Sequence, residues 1–391
     1  MKVRTSLAWM EDELQRLREQ SALRKLHTHH VTRPGWIMRD GQKMLNLASN
    51  DYLGLAQDTD TITRVEGLES GAAASRLITG NHELYTQLEQ EFAAFKRAES
   101  CLIFGSGYAA NVSVLAALAG RDDVVFSDRL NHASIVDGIV LSRAELKRYR
   151  HLDLEHLEHL LKRTDKARRK WIVTDAVFSM DGTIAPLPEL VRLKERYGAM
   201  LMIDEAHSGG LFGEEGRGLA EHFGVEQEIE VRMGTFSKAY GVYGAYIAGD
   251  RVLTHYLLNK ARGLIYSTAL PPIVLQLIRN NWIKVRTEHW RRERVFRHAR
   301  MFSHTLREAG FRVGSGETPI IPLIVGSNED AVQFGQELQR EGIAAVPVRP
   351  PTVPEGTARI RFTLMSVHEE EDLKIALDKI IRTGKKMGLI G

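Results

Sequence analysis

The sequence has almost none of the features that mark secreted or membrane proteins. It contains one cysteine, Cys101, so no disulfide can form within the chain. No apolar run approaches the ~18 residues that a transmembrane helix needs. Met1–Gln20 carries charges throughout, where a signal peptide would have an apolar core. We therefore expect a cytoplasmic protein that does not enter a membrane.

A charge excess of one sign is absent too. The 53 basic side chains nearly balance the 50 acidic ones, and the formal net charge is +3. A protein with this balance lacks the strongly basic character typical of nucleic-acid binders. The composition therefore predicts no nucleic-acid partner.

Two groups of histidines lack the character of metal sites. The first has no neighbouring cysteine or carboxylate: His27, His29 and His30. The second group, His151, His156 and His159, lies in one charged stretch of the sequence. Such a stretch is typical of a solvated helix face and not of a metal site. We expect no bound metal.

Apolar strands alternate with helical or irregular stretches from about residue 101 to 250. The strands are expected at 101–104, 123–126, 171–175, 199–203, about 229–233 and 242–248. This alternation is typical of a mostly parallel sheet with helices on both faces. The last two strands are too close together for a crossover helix, so one strand is expected to run antiparallel.

The flanking parts of the chain have a different pattern. Apolar and charged residues alternate at helical spacing over 6–30, which predicts an exposed helix. A long charged helix begins near 275, and short strands (320–325, 343–348, 358–364) and helices (328–341, 368–384) follow it. We expect an N-terminal helical segment (1–45), a large domain (46–280) and a small α+β domain (281–391).

The stretch Gly234–Gly241 places one lysine, Lys238, among small residues and between glycines. A solvated lysine does not need such surroundings. A lysine that forms a covalent bond needs a compact pocket that its partner can approach closely. The sequence therefore predicts a reactive lysine in this stretch.

Upstream of that lysine, a continuous apolar run predicts a buried strand that ends at Asp204, with His207 three residues later. A buried aspartate at the carboxyl end of a strand needs a cation, unless it only caps the next turn. The protonated ring nitrogen of pyridoxal phosphate is such a cation, and enzymes that use this cofactor pair it with an aspartate and a Schiff-base lysine. Together with Lys238, Asp204 favours a pyridoxal phosphate site.

The glycine-rich turn Gly105–Asn111 lies between a strand and a helix. Its backbone amides can bind a phosphate at the helix N-terminus. The turn also fits the relaxed dinucleotide fingerprint G-x-G-x-x-A, with Asp128 about 20 residues later. A nicotinamide-dependent dehydrogenase is therefore an alternative, although it gives Lys238 and Asp204 no role. A plain tight turn is the third interpretation.

Two more polar residues follow predicted strands. His132 can stack on a flat ring, or it can serve only its own turn. Ser179 can donate a hydrogen bond to a cofactor oxygen, or it can be structural. Neither residue decides the function by itself.

The order of these motifs resembles the α-oxoamine synthases, a family of pyridoxal-phosphate enzymes with the aspartate-aminotransferase fold. The resemblance covers nearly the whole chain and includes Ser49–Leu55. Thr235–Ala245, Arg262–Pro272 and Arg349–Pro354 resemble the branch of the family that makes a biotin precursor. Gly71–Ser75 departs from the pattern, because the family usually carries more glycine there. The implied fold is a type I pyridoxal-phosphate transferase: a large domain with a mostly parallel seven-stranded sheet, a smaller α+β domain and an N-terminal helical segment.

The resemblance also implies how the cofactor is held. Lys238 would bind it covalently and move the proton on the substrate Cα, Asp204 would pair with the ring nitrogen, and His132 would stack on the ring. The other residues expected at the cofactor are Ser179 and His207 near its phenolate oxygen, Ser106, Gly107, Tyr108 and Thr235 at its phosphate, and Thr268 from a second subunit.

The substrates follow from the same resemblance. Arg349 would bind the amino-acid carboxylate, a task suited to a planar bidentate donor. Arg24, Asn50 and Thr352 would be the other substrate-binding residues. The implied reaction is a decarboxylative condensation of L-alanine with a pimeloyl thioester of CoA or acyl carrier protein, in a homodimer with shared active sites. A sibling enzyme that uses glycine, 2-amino-3-ketobutyrate CoA ligase, is the nearer alternative.

Overall fold

The computed structural model describes residues 5–62, 65, 67–164 and 167–391. The described chain divides into two compact units. The central unit comprises Leu53–Ser179 and Thr183–Arg292. The terminal unit comprises the residues up to Tyr52, Met180–Gly182 and Glu293–Gly391. The N-terminal and C-terminal parts of the chain therefore belong to one unit. The three-part division at 45 and 280 stays a prediction.

Helices make up much of both units. The α-helices are α1 (Ala8–Glu19), α2 (Thr59–Ile62), α3 (Glu83–Phe95), α4 (Gly107–Leu118), α5 (Ala133–Ser142), α6 (Leu154–Lys162), α7 (Leu187–Tyr197), α8 (Leu219–His222), α9 (Arg251–Lys260), α10 (Arg262–Ile265), α11 (Pro272–Thr287), α12 (Trp290–Glu308), α13 (Asn328–Arg340) and α14 (Glu370–Lys386). Within the described ranges, no helix is both long enough and apolar enough to cross a membrane.

Local sequence signals set where several helices begin and end. The Asp153 carboxylate accepts a hydrogen bond from the His156 amide at 2.8 Å and so caps α6. Ser327 caps α13 in the same way through the Asp330 amide. Gly198 ends α7 in the left-handed conformation, with φ +58°. Side-chain oxygens at N-caps and glycine at C-caps are the residues that satisfy helix-end backbone groups best.

The strands of the described residues form three sheets. They are β1 (His29–Arg33), β2 (Trp36–Arg39), β3 (Gln42–Asn46), β4 (Ser100–Phe104), β5 (Val124–Asp128), β6 (Glu145–Tyr149), β7 (Lys170–Asp175), β8 (Met200–Asp204), β9 (Val231–Thr235), β10 (Ala245–Gly249), β11 (Ile320–Gly326), β12 (Ile343–Ala344), β13 (Val346–Val348) and β14 (Ala358–Thr363).

The central unit contains a seven-stranded sheet in the order β4-β10-β9-β8-β7-β5-β6. β10 runs antiparallel to both of its neighbours, and the pairs from β9 to β6 are parallel. The predicted mostly parallel sheet with one antiparallel strand is confirmed. The six predicted strands are all present. The residue pattern missed β6, because this edge strand is mostly charged and has a single buried residue, Tyr149.

The core of the central unit lies where α4 covers the sheet. Its side chains Ala110, Val114 and Leu115 pack into one buried cluster with strand residues such as Val173 and Met202. Burial of each Val, Leu or Met side chain stabilises the fold by about 1.5–3 kcal/mol. This packing fixes the position of α4 over the sheet.

The terminal unit contains two smaller sheets, β1-β2-β3-β12 and β11-β14-β13. The strands predicted at 320–325 and 358–364 are β11 and β14, and the two predicted helices are α13 and α14. The strand predicted at 343–348 is wrong as one element. It consists of β12, which pairs with β3, and β13, which pairs with β14 in the other sheet.

The helix predicted over 6–30 is also wrong beyond Glu19. α1 ends there, and the chain continues into β1 and β2. All five residues of β1 are exposed, so the strand lacks the alternation of burial that marks a strand in a sequence. α1 itself has no buried residue, as expected for an exposed helix.

His368 in the terminal unit is a buried histidine that folding holds neutral. Its Nδ1 accepts a hydrogen bond from the Met365 amide at 3.1 Å, and its Nε2 lies 3.0 Å from the Asn46 carbonyl oxygen. Protonation would place an N–H against the Met365 N–H. Burial lowers the pKa of His368 from 6.5 to about 3.

Acidification is therefore expected to destabilise the protein through His368. Between pH 6.5 and about 3 the unfolded chain binds this proton and the folded chain does not. The stabilisation is complete above pH 6.5, and the free energy of unfolding falls by about 1.4 kcal/mol per pH unit below it. Urea unfolding of wild type and His368→Gln at several pH values measures this slope. His368→Gln should show a shallower acid slope, whereas the exposed control His304→Gln should match wild type. Equal slopes in all three proteins would contradict the assignment.

Candidate active site

Four neighbouring parallel strands of the central sheet end in polar residues at the same edge. β5 ends at Asp128, β7 at Asp175, β8 at Asp204 and β9 at Thr235. Asp175 and Asp204 are paired across β7 and β8. Ligands of open α/β sheets bind beyond the carboxyl ends of the strands. The polar residues at these strand ends therefore lie along one edge of the sheet, where a ligand could bind.

A cavity of about 210 Å³ lies at this edge. Its lining residues are Ser106, Gly107, Tyr108, Asn111, His132, Ser134, Asp175, Ser179, Asp204, Ala206, His207, Met233, Thr235, Ser237 and Lys238. The residues predicted to hold the cofactor are brought together here, with the exception of Thr268. Thr268 is exposed and forms an isolated bridge with Ser75. Its contribution from a second subunit stays a prediction.

Lys238 lies on the turn that follows β9. Its Nζ is 2.7 Å from Nε2 of His207, which is 6% exposed. The turn depends on Gly241, which has φ +66° and whose Cβ, if it had one, would lie 2.3 Å from the Ala56 amide nitrogen. Any other residue there would clash with the backbone and strain it. Glycine therefore explains how the chain brings Lys238 into the cavity.

Asp204 is held in one orientation. It is 4% exposed, and its Oδ1 accepts a hydrogen bond from the Ala206 amide at 2.8 Å. Its Oδ2 accepts one from Asn111 Nδ2 at 2.8 Å, and the same Asn111 nitrogen donates to Ser134 Oγ. Both carboxylate oxygens are therefore fixed by groups on different elements of the chain.

Asp175 and His132 form a second pair beside Asp204, in which Asp175 is buried and His132 is only partly covered. The Asp175 carboxylate accepts a hydrogen bond from the His132 amide at 2.8 Å. Burial, and then the negative charge of Asp204, raise the pKa of Asp175 well above its usual value. Burial lowers the pKa of His132, and the Lys238 charge adds to this while Asp204 opposes it. A neutral imidazole presents a flat, uncharged face to the cavity.

The N-terminus of α4 provides an anion site at another part of the cavity. Ser106 caps the helix by accepting a hydrogen bond from the Ala109 amide at 3.2 Å. Thr235 Oγ1 and Ser237 Oγ lie 2.7 Å apart and add two hydroxyl groups. A Cβ on Gly107 would lie 3.4 Å from Met233 Cε, so a side chain there would enter the cavity. Helix N-termini with free amides bind phosphate well.

Tyr108 has a different setting from the other predicted phosphate-binding residues. It is 52% exposed, and its hydroxyl donates a 2.5 Å hydrogen bond to Asp137. That bond raises the pKa of Tyr108. The phenol therefore faces the rim of the cavity, and its role at a phosphate stays a prediction.

The helices α4 and α5 are in close contact because of Gly138. A Cβ there would lie 2.9 Å from the Asn111 carbonyl oxygen and 3.0 Å from Leu115 Cβ. Close contact brings His132, the N-cap of α5, near Asn111 on α4. The packing of two helices thus sets the spacing of two groups in the cavity.

The prediction that His151 belongs to a solvated helix face is wrong. His151 precedes α6, and its Nδ1 lies 3.0 Å from Asp128 Oδ1. Its side chain is 23% exposed. Across the described ranges, no group of three or more His, Cys, Asp or Glu side chains is arranged so that it could hold a metal ion.

The predicted substrate-binding residues belong to the terminal unit. Arg349 donates a hydrogen bond to the Ser21 carbonyl oxygen, and burial lowers its pKa. Asn50 Oδ1 accepts one from Arg361 at 2.9 Å. Arg24 and Thr352 are exposed. Their roles toward a substrate stay predictions.

The sequence analysis assigned no role to four polar side chains of the cavity: Asn111, Ser134, Asp175 and Ser237. Asp175 ends a buried apolar strand just as Asp204 does, so the same argument applied to β7 would have found it. Asn111 is the one amide in the apolar helix Gly107–Leu118, four residues after Gly107. Ser134 gives no signal of this kind.

Comparisons with known proteins identify the family of the chain. The family model described as aminotransferase class I and II matches residues 42–380. A protein of Geobacillus kaustophilus named putative 8-amino-7-oxononanoate synthase is 51% identical over 99% of this chain and 100% of its own length. A Bacillus cereus protein with the same name is 49% identical, covering 96% of this chain and 97% of its own.

Solved structures show the same fold. A serine palmitoyltransferase from S. paucimobilis, with PLP and myriocin bound, has a TM-score of 0.93 and 30% identity over 100% of both chains. The 8-amino-7-oxononanoate synthase from Francisella tularensis has a TM-score of 0.76 and 27% identity, over 88% of this chain and 99% of its own. The chain belongs to the class I and II aminotransferase family, which confirms the resemblance to the α-oxoamine synthases.

Proposed function

We propose that the protein condenses L-alanine with a pimeloyl thioester to give 8-amino-7-oxononanoate, CO2 and the free carrier. The observation that carries the proposal is a cavity containing Lys238 and Asp204 in a chain that is 51% identical, over its full length, to a putative synthase of this product. The acyl group would arrive on CoA or on acyl carrier protein. The family and the solved relatives that carry PLP contradict the nicotinamide-dependent alternative built on the Gly105–Asn111 turn.

The predicted cofactor, pyridoxal phosphate, is confirmed by family membership and by the solved relatives that carry it. The residues of the cavity fit its chemical groups. The α4 N-terminus with the Ser106, Thr235 and Ser237 hydroxyls suits the phosphate, and the Asp204 carboxylate suits the ring nitrogen. When bound, the cofactor supplies an electron sink for the electron pair left on the substrate Cα.

Asp204 would keep a positive charge on the ring nitrogen. A carboxylate does this only if it stays in place, and both of its oxygens are held here, by Asn111 and by the Ala206 amide. Its 4% exposure excludes most competing water. A dry, fixed carboxylate interacts more strongly with a neighbouring charge than a solvated one.

Lys238 would bind the cofactor and move the proton on the substrate Cα. An amine that attacks a carbonyl must be neutral, so it needs a partner that takes up or returns a proton. His207 Nε2, at 2.7 Å, is within reach for that exchange. The pair can therefore pass a proton inside the cavity without bulk water.

His132 and Ser179 would position the ring. The backbone amide of His132 donates a hydrogen bond to the Asp175 carboxylate. The neutral imidazole of His132 has its Nδ1 2.7 Å from Ser134 Oγ. The first contact holds the backbone at His132, and the second restrains the angle of its ring. Ser179 faces the same cavity from the turn after β7.

The homodimer with shared active sites is part of the proposal. Thr268 would reach the cofactor phosphate of a second copy. Two observations support this: Thr268 is exposed, and the neighbouring Tyr266 is 71% exposed, so both are accessible to another chain.

A second candidate is a serine palmitoyltransferase-like reaction, favoured by the TM-score of 0.93. Steady-state turnover with L-alanine, glycine and L-serine, each against pimeloyl-CoA and palmitoyl-CoA, separates the candidates. We expect kcat/KM for L-alanine with pimeloyl-CoA to exceed that for glycine by about 10- to 200-fold. This is the discrimination that one additional methyl group gives in an apolar pocket. Preference for L-serine with palmitoyl-CoA would establish the second candidate, and preference for glycine would establish the sibling ligase.

A further inference from the structure

His151 connects two distant parts of the central unit through both of its ring nitrogens. Nδ1 lies 3.0 Å from Asp128 Oδ1, and Nε2 lies 2.9 Å from Thr183 Oγ1. The ring also packs edge-on against Phe178, with centroids 4.4 Å apart and an interplanar angle of 85°. Position, distance and ring orientation are therefore all restrained.

The polarity of this connection follows from the Asp128 carboxylate. That group is fully buried and also accepts hydrogen bonds from the backbone amides of Leu130 and Leu152, at 2.8 and 2.9 Å. A carboxylate that accepts these bonds requires His151 Nδ1 to donate. In the neutral ring, Nε2 then accepts from the Thr183 hydroxyl. The chain of hydrogen bonds is complete without a charge on His151.

The Asp128 end of this connection supports residues 129–132, which join β5 to α5 and are called the His132 loop. The Asp128 side chain holds the Leu130 amide, and its backbone carbonyl accepts from the Asn131 amide at 3.2 Å. The Asn131 side chain donates to the Val173 carbonyl at 2.7 Å and accepts from the Asp175 amide. The next residue, His132, lines the cavity.

The Thr183 end supports the segment that carries Ser179. The Thr183 carbonyl accepts a hydrogen bond from the Phe178 amide at 3.0 Å. Val177 and Ile184 form an isolated antiparallel bridge beside it. Ser179 follows Phe178 directly and lines the cavity.

We propose that His151 is a positioning residue that couples these two walls of the cavity: Asp128–His151–Thr183 holds the His132 loop and the Ser179 segment at a fixed separation. The inference rests on the proposed function, because it assigns both walls to one reaction site. His151 touches neither cofactor nor substrate in this role.

The test uses Thr183→Val, which removes the hydroxyl and keeps the shape, with Thr183→Ser as the conservative rescue. Amide hydrogen–deuterium exchange of the apoprotein is measured on peptides covering 128–134 and 176–184. Coupling predicts roughly five- to tenfold faster exchange in both segments of Thr183→Val, the factor expected from losing one buried hydrogen bond. A purely local role predicts faster exchange in 176–184 alone, and that result would overturn the proposal.

The second readout is solvent deuterium incorporation at Cα of L-alanine by the pyridoxal-phosphate-loaded enzyme, a half-reaction that needs no acyl donor. We expect Thr183→Val and His151→Leu to slow it by about tenfold or more, because small displacements of reacting groups carry large rate costs. Thr183→Ser should restore it, and the exposed control His159→Gln should match wild type. Unchanged rates in folded Thr183→Val would refute the coupling. Failure of wild type to exchange L-alanine, glycine or L-serine would instead refute the proposed function.

Discussion

Replacement of Lys238 by alanine is expected to lower turnover by at least about 10³-fold while leaving the fold intact. In the proposed function the amine is the covalent attachment point for the cofactor and the group that moves the Cα proton, and acid–base groups alone contribute about 10²–10⁴-fold. The change removes no buried core group, since Lys238 is only half-buried. Activity and stability are therefore expected to separate in this variant.

Two measurements check this prediction. Steady-state rates give the loss of turnover, and borohydride reduction followed by peptide mapping locates the covalent attachment of pyridoxal phosphate. Wild type should be labelled at Lys238 and the variant should not be labelled, while the exposed control Lys260→Ala should behave as wild type. Retained turnover in Lys238→Ala would remove the lysine from the mechanism.

Replacement of Lys96 by methionine is expected to destabilise the protein by about 3–5 kcal/mol, because it leaves a buried carboxylate without its partner. Lys96 is 1% exposed, and its Nζ lies 2.6 Å from Glu205 Oε2, on a side chain that is fully buried. Lys96 also donates to the Arg217 carbonyl. Burial lowers the pKa of Lys96, and the Glu205 charge opposes that shift.

Urea unfolding measures this loss, and the double variant Lys96→Met with Glu205→Gln identifies its cause. Removing the uncompensated charge should recover most of the lost stability. The exposed pair of Lys374 and Glu370 provides the control, and Lys374→Met should leave the unfolding midpoint unchanged. A Lys96→Met protein as stable as wild type would show that the buried pair contributes nothing net.

The sequence predicted best those elements whose residues are buried on both faces. β8 and β10 read as continuous apolar runs because helices cover the sheet on both sides. β1 and β6 were missed for the opposite reason, since β1 has no buried residue, β6 has one, and neither carries a periodic apolar signal. Pairing partners also escaped the sequence: nothing in the stretch 343–348 indicates that its two halves join different sheets.

The site was predictable where chemistry demands a particular side chain. Lys238, Asp204 and the glycine turn have few substitutes in their roles. Asn111 holds the Asp204 side chain and Asp175 holds the His132 backbone amide, and both partners are distant in sequence. Asn111 and Asp204, for example, are 93 positions apart. Such contacts depend on how helices and strands are arranged in space, which one sequence does not reveal.

Helix α4 sets the distance between a place that favours an anion and a place that favours a cation. Its N-terminus favours an anion, and Asn111, four residues after Gly107, holds the carboxylate that favours a cation. Four residues of α-helix span about 6 Å. A ligand with one anionic and one cationic group would therefore be selected by the distance between those two charges as well as by their signs. Inserting one residue between Gly107 and Asn111 would rotate the Asn111 side chain by about 100° around the helix axis. Asn111 would then no longer hold Asp204 at this distance from the helix N-terminus.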